Sequence, residues 1–255
     1  MRGLRDSVAV ITGGAGGIGR ATCLRFAAEG AKVAIFDRDA SGAEAVRAEI
    51  VAAGGSATAY TVDITDHGAV LTAVQAVEAE LGPIHILVNN AGWDVFRPFI
   101  KTDPELWQRI IAVNLVGALN LHHAILPLMA ERRAGKVVNI ASDAARVGSS
   151  GEAVYAACKG GLVAFSKTAA RELAAKGINV NVVCPGPTDT NLFKDYLQGA
   201  GNPEKLVEAF KRSVPLGRLG QPEDLPGAIA FFASDDANFI TGQVLSVSGG
   251  LTMNG

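Results

Sequence analysis

Short apolar runs alternate along the chain with longer stretches whose apolar residues return every three or four positions. The runs at 7–11, 32–36, 57–62, 84–88, 136–141, 179–184 and 243–247 predict strands, and the helical period predicts helices over about 17–29, 41–53, 66–81, 104–132 and 152–176. Gly30, Gly54 with Gly55, and Gly82 followed by Pro83 stop the first three helices. Pro127 lies inside the fourth and predicts a kink or local interruption there. Strand, helix and strand repeated without a break predict an α/β fold, a doubly wound parallel sheet of about seven strands with helices on both faces. Residues 1–255 read as one domain with no internal linker. The one irregular region, from Pro185 to about Arg218, carries two short helical pieces broken by glycine and proline. It predicts a substrate loop over about 187–218.

Composition narrows the reading. A chain of 255 residues, 49% hydrophobic and with 30 glycines, suits one large α/β domain with tight strand-to-helix turns. A net charge of -2 without a basic or acidic block implies neither nucleic acid nor a membrane surface as partner. Cys23, Cys158 and Cys184 are far apart and lack metal-ligand spacing, so they read as reduced thiols packed inside, with no metal. The apolar run at the N-terminus is too short for a signal peptide, and no run elsewhere reaches membrane-spanning length, so a cytoplasmic location is expected.

The first strand-to-helix turn is Thr12-Gly13-Gly14-Ala15-Gly16-Gly17-Ile18-Gly19. Glycines there allow a sharp turn and let a pyrophosphate approach the N-terminus of the next helix, which nominates Gly13, Gly16, Gly17, Ile18 and Gly19 for dinucleotide binding. Asp37 ends the second strand, where a carboxylate accepts from the ribose hydroxyls and repels a 2′-phosphate. That favours NAD as cofactor, with the neighbouring Arg38 as a complication. Asp63 after the third strand is placed either to meet the adenine amino group, with the Ile64 N–H as a second contact, or simply to cap the turn. Tyr155 and Lys159, four apart on a helix, share one face. A phenol with an ordinary value near 10 becomes a useful acid and base at neutral pH if a close ammonium lowers it, and that lowering is the expectation for Tyr155.

The glycine turn, the Asn89-Asn90-Ala91-Gly92 block, Asn114, Ser142, Tyr155 with Lys159, and Pro185-Gly186 occur in that order along essentially the whole chain. Together they resemble the short-chain dehydrogenase/reductase family, whose fold is Rossmann-like. The resemblance implies Tyr155 as the general acid or base, Lys159 lowering its pKa and holding the nicotinamide ribose, Ser142 on the substrate oxygen and Asn114 holding a relay water. It implies cofactor contacts at Asn90, Ala91, Gly92, Pro185, Gly186 and Thr188, and a homotetramer in which the helix carrying Leu162, Phe165 and Ala169 packs on a partner subunit. The stretches Asn89 to Asp94, Ala141 to Ser150 and Ser248 to Gly255 are similar to family members that oxidise a ring β-hydroxyacyl-CoA, 2-hydroxycyclohexane-1-carbonyl-CoA, in alicyclic and aromatic acid degradation. On that resemblance the substrate is a small molecule, a CoA thioester, with Trp93 either walling its ring or packing in the core. Arg146, or Lys194, Lys205, Lys211 and Arg212, would meet the CoA phosphates. A 3-oxoacyl-thioester reductase and a non-catalytic NAD-sensing protein are the alternatives.

Overall fold

The apolar runs of the chain pair into one sheet in the computed structural model, which describes residues 1–198 and 202–253. Its strands, all parallel, lie in the order β3-β2-β1-β4-β5-β6-β7. They are β1 (Val8–Thr12), β2 (Lys32–Asp37), β3 (Ser56–Thr61), β4 (Ile84–Asn89), β5 (Gly135–Ile140), β6 (Ile178–Pro185) and β7 (Val244–Val247). Helices α1 (Gly17–Ala28), α2 (Ala40–Ala52) and α3 (His67–Glu80) alternate with the first strands, and α4 (Pro104–Ile111) and α5 (Gly117–Arg132) join β4 to β5. A short α6 (Ala144–Val147) and the long α7 (Ala153–Leu173) lead to β6; α8 (Asn191–Gln198), α9 (Pro203–Ser213) and α10 (Pro226–Ala233) separate β6 from β7.

Successive strand side chains point to opposite faces, so each strand feeds two cores. Ala9, Ile11, Val33 and Ile35 pack with Phe26, Ile50, Ile229 and Phe232 on one face, while Val8, Val10, Ala34 and Phe36 pack with Val74, Leu121, Ile125 and Met129 on the other. Helix starts follow the sequence: Asp39, Asp66 and Asp103 accept from backbone N–H groups in the first turns of α2, α3 and α4. Cys23, Cys158 and Cys184 are buried and unpaired.

Three expectations change. The helix over 104–132 is interrupted by a π-helical turn at Ala112–Val116 rather than at Pro127, which α5 carries in its interior. The turn widens where Asn114 inserts its amide between Ile110 and the loop carrying Trp93. By length and composition alone the 29-residue stretch Pro104–Arg132 would cross a membrane, against the expectation that no run reaches that length; Leu121, Ile125 and Met129 make it a core helix of the fold. On α7, Leu162 and Ala169 are buried and Phe165 is half-buried against the same core as Ala169. The pattern also missed α6, too short to show a period, and α10, whose Pro-Gly-Ala-Ile-Ala-Phe-Phe-Ala run is apolar all round and therefore lacks one.

Between β6 and β7 the chain makes a long excursion pinned at its neck. Thr188 bridges Gly220, with Asp189 N–H donating to Gly220 O and Gly220 N–H to Pro187 O, each at 2.9 Å. This excursion contains the expected substrate loop 187–218, of which 199–201 lie outside the described residues, as do Asn254 and Gly255 at the end of the Ser248 stretch.

Candidate active site

A cavity of about 800 Å³ opens at the C-terminal ends of the parallel strands, where a doubly wound sheet leaves a crevice between diverging loops. One end is lined by Gly13, Gly16, Gly17 and Ile18, Asp37 and Arg38, and Asp63 and Ile64; the other by Trp93, Ser142, Tyr155, Lys159 and residues of α8 and α9. Asn90, Ala91, Gly92, Pro185, Gly186 and Thr188 line the stretch between them.

At the first end, Gly16 stands at the N-cap of α1 and offers no capping side chain, so the N–H groups of its first turn face the cavity. Gly13 has φ of +65°, a left-handed value that favours glycine. Asn90 latches the turn: its Nδ2 donates to Thr12 O at 2.9 Å and Gly13 O at 3.2 Å, while Thr12 Oγ1 accepts from Asn90 and Ala91 N–H. Gly19 does not line the cavity. A Cβ there would stand 1.9 Å from Gly13 O, so its part is to let helix and turn approach, and its assignment as a cofactor contact is corrected on that ground. Asp37 is oriented by Ala15 N–H at 2.9 Å and Asp39 N–H at 3.0 Å. Asp63 accepts from the N–H and hydroxyl of Thr65, which hold its carboxyl below the usual range. An uncapped glycine N-terminus followed by a fixed carboxylate at the end of β2 fits a nicotinamide dinucleotide.

At the second end, α7 delivers Tyr155 and Lys159 from one face, 8% and 2% exposed. The Lys159 ammonium lies 5.6 Å from the Tyr155 ring centroid and donates to Ile140 O at 2.9 Å. Ser142 lines the cavity beside Tyr155, and its Oγ accepts from Ala144 N–H at 3.1 Å. Burial first, then the charges of Glu152 and Asp94, push the Tyr155 hydroxyl up, and only the polar Ser142 side chain opposes them. Burial also pushes Lys159 down to about 8. The expected lowering of Tyr155 by Lys159 is therefore reversed here: desolvation disfavours the phenolate and the ammonium alike. Asn114, 1% exposed, accepts from Trp93 N–H and donates to Trp93 O at 2.6 Å and Ile110 O at 2.9 Å, so its side chain fixes the loop that forms one wall. Gly92 fits beside it because a Cβ would come within 3.1 Å of Asn114 Oδ1 and 3.4 Å of Lys159 Nζ.

Trp93 lines the cavity and packs with Tyr155, Ile110 and Cys158, so wall and core are one role. Arg146 is not brought there: its guanidinium donates to Ser246 Oγ at 3.0 Å and Val244 O at 3.4 Å, on the β7 side. The CoA-docking expectation for Arg146 is corrected accordingly. Lys194, Lys205, Lys211 and Arg212 do not line the cavity either; Lys194 pairs with Asp189 and Lys211 with Glu208. Among the lining residues assigned no role from sequence are three charged ones. Arg109 stacks its guanidinium 3.9 Å from the Trp93 ring centroid. Asp94 buries both carboxylate oxygens without a side-chain hydrogen-bond partner, and Glu152 stands three residues before Tyr155. Burial, reinforced by Glu152 and outweighing the Val95 N–H and Lys159, pushes Asp94 up to about 7, and burial raises Glu152 too. Their only sequence signal was position, an acid two residues past Gly92 and another one helical turn before the tyrosine.

Residues 13–252 match the family model described as enoyl-(acyl carrier protein) reductase. The chain is 37% identical to a 3-oxoacyl-[acyl-carrier-protein] reductase of Thermotoga maritima over 98% of its own length and 99% of the relative's. It is 39% identical to an acetoacetyl-CoA reductase of Rhizobium meliloti, covering 95% and 97%. Its fold superposes on an NAD+-bound xylitol dehydrogenase with a TM-score of 0.94 at 32% identity, covering 98% of this chain and all of that one.

Proposed function

The chain belongs to the short-chain dehydrogenase/reductase family, and from that footing we propose that it interconverts the β-hydroxyl and β-ketone of an acyl thioester, with NAD as its cofactor. The observation that carries the reading is the joining, in one cavity, of an uncapped glycine turn with Tyr155, Ser142 and Lys159. When bound, the nicotinamide ring supplies or accepts the hydride. Tyr155 gives the proton to the ketone oxygen in reduction and takes it from the alcohol in oxidation. Ser142 aligns that oxygen, and Asn114 holds the wall that bounds it. A phenol kept in its protonated form is the state from which carbonyl reduction starts, and the thioester relatives named above are reductases.

Within this class the finer reading is NAD-linked oxidation of 2-hydroxycyclohexane-1-carbonyl-CoA, supported by the aromatic wall at Trp93 and the similarity of the stretches around it. A homotetramer goes with the family, and exposed Ile100, Ile111 and Val116 beside α4 and α5, with Phe239 and Met253 elsewhere, are suited to covered surfaces. Three unpaired buried thiols agree with a cytoplasmic location.

The test is steady-state turnover of a linear 3-hydroxyacyl-CoA, the ring thioester and their ketones, each with NAD(H) and NADP(H). Preference for the ring substrate with NAD supports the finer reading; preference for the linear thioester retains the class and removes the ring; no turnover of any thioester refutes both. Asp37→Ser is expected to shift the NAD to NADP preference by about tenfold or more toward NADP, since it removes a carboxylate that opposes a 2′-phosphate beside Arg38.

A further inference from the structure

We propose that the carboxylates of Asp94 and Glu152 determine the charge of the substrate, selecting an uncharged β-hydroxyacyl or β-oxoacyl ester over the corresponding free carboxylate. This rests on the thioester reading and names what that reading leaves open, how the site tells thioester from acid. Both residues line the cavity with Tyr155 and Ser142, and both act electrostatically on the Tyr155 hydroxyl, so they stand close to where the reacting oxygen must lie. Neither forms an ion pair among the described residues. Both Asp94 oxygens are buried and no side chain hydrogen-bonds to them, the Val95 N–H and the Lys159 charge easing them only in part, and Glu152 is eased only by Ser149. Asp143 adds a third carboxylate to the lining, its Oδ1 accepting from Ser246 Oγ and its Oδ2 buried without a partner.

No cation of the cavity forms an ion pair with them among the described residues, and the Lys159 charge offsets Asp94 only in part. Arg38 lies at the Asp37 end, Arg109 is stacked on Trp93, and Lys159 is turned to Ile140 O. A free β-hydroxy acid carries its carboxylate two carbons from the reacting carbon and would bring it against this wall, where like charges in a partly dry site oppose each other strongly. A thioester puts a neutral carbonyl and a sulfur in that place. Its phosphates sit at the far end of the pantetheine arm, beyond a screening length of about 8–10 Å. The wall therefore separates two molecules that share the same reacting carbon.

Asp94 also gives the selection a pH dependence. Glu152, Tyr155, Cys158 and Lys159 are the titratable groups coupled to its charge, with Arg97 and Arg109 on the flanking segments. As Asp94 ionises around neutral pH, rejection of an anion strengthens.

The experiment measures the ratio of kcat/KM for free 3-hydroxybutyrate to kcat/KM for its neutral N-acetylcysteamine thioester, in wild type, Asp94→Asn, Glu152→Gln and Glu152→Lys. Because any change at Tyr155 affects both substrates, the ratio isolates charge selection. Each single neutral variant is expected to raise the ratio about tenfold, and Glu152→Lys further. In wild type the ratio falls between pH 6 and pH 8.5, and in Asp94→Asn it stays flat. A ratio unchanged within about twofold in Asp94→Asn and Glu152→Gln, or a wild type that turns over acid and thioester equally, overturns the proposal. Ethyl 3-hydroxybutyrate separates the two claims: turnover of this neutral oxyester without the thioester refutes the thioester reading, and the acid-to-oxyester ratio then decides charge selection by the same criterion.

Discussion

Replacing Asn114 with alanine removes three hydrogen bonds and leaves Trp93 N–H and Trp93 O without their side-chain partner. Orphaning a buried polar group costs about 1–3 kcal/mol, and Trp93 is only partly buried, so water recovers some of that loss. The expected destabilisation is about 2–4 kcal/mol. Asn114→Asp keeps an acceptor for Trp93 N–H but loses both donations and sets a carboxylate against two carbonyl oxygens. At pH 8 it is expected to be less stable than the alanine variant, and to regain stability as acid protonates it. Urea unfolding of the three proteins at one fixed protomer concentration reads the order wild type, Ala, Asp, with kcat/KM falling at least tenfold in both variants because the Trp93 wall loosens. An alanine variant within about 0.5 kcal/mol of wild type, or an aspartate variant as stable as wild type at pH 8, would refute the view that this side chain holds the wall.

His122 is buried and pushed down to about 4 from an ordinary 6.5, chiefly by desolvation, while its Nδ1 donates to Ala118 O at 2.7 Å. The unfolded chain binds the extra proton first, so stability falls as pH drops from about 6.5 to 4, by roughly 3 kcal/mol. His122→Gln should flatten that part of a urea-derived pH profile, and an unchanged slope would show that His122 titrates normally. Asp94 acts in the opposite sense, its raised value giving stability that is lost as pH climbs from about 4 to 7, so the comparison is cleanest in an Asp94→Asn background. Gly19→Ala forces apart the turn at Gly13 and Asn90 and should weaken NADH binding at least tenfold by fluorescence titration. Gly16→Ala, whose added Cβ meets nothing within 4 Å, should melt like wild type; equal melting and equal NADH affinity in Gly19→Ala would discard the close-approach argument.

The sheet was legible because its strands are apolar runs with glycine or a capping acid at the joints, and a parallel α/β chain repeats those signals locally. The gathering of Tyr155, Lys159 and Ser142 in one cavity was legible too, since Tyr155 and Lys159 are neighbours on one helix and Ser142 follows a strand. Through-space electrostatics were not. No spacing rule places Asp94, from the loop after β4, and Glu152, from the start of α7, beside one phenol, and desolvation at Lys159 depends on layers of chain that meet only in the fold. Arg146 failed for the same reason: a cation near the right strand end was turned by Ser246 and Val244, residues about a hundred positions away.

The pinned neck at Thr188 and Gly220 has a consequence for redesign. The chain leaves and re-enters the body of the protein at that neck, while β6 and β7 pair independently of it. Doubling the length of such a loop costs only about 0.6 kcal/mol in closure entropy. Such a segment is suited to serve as an exchangeable cassette, and an engineer seeking a new specificity would graft there before touching any strand.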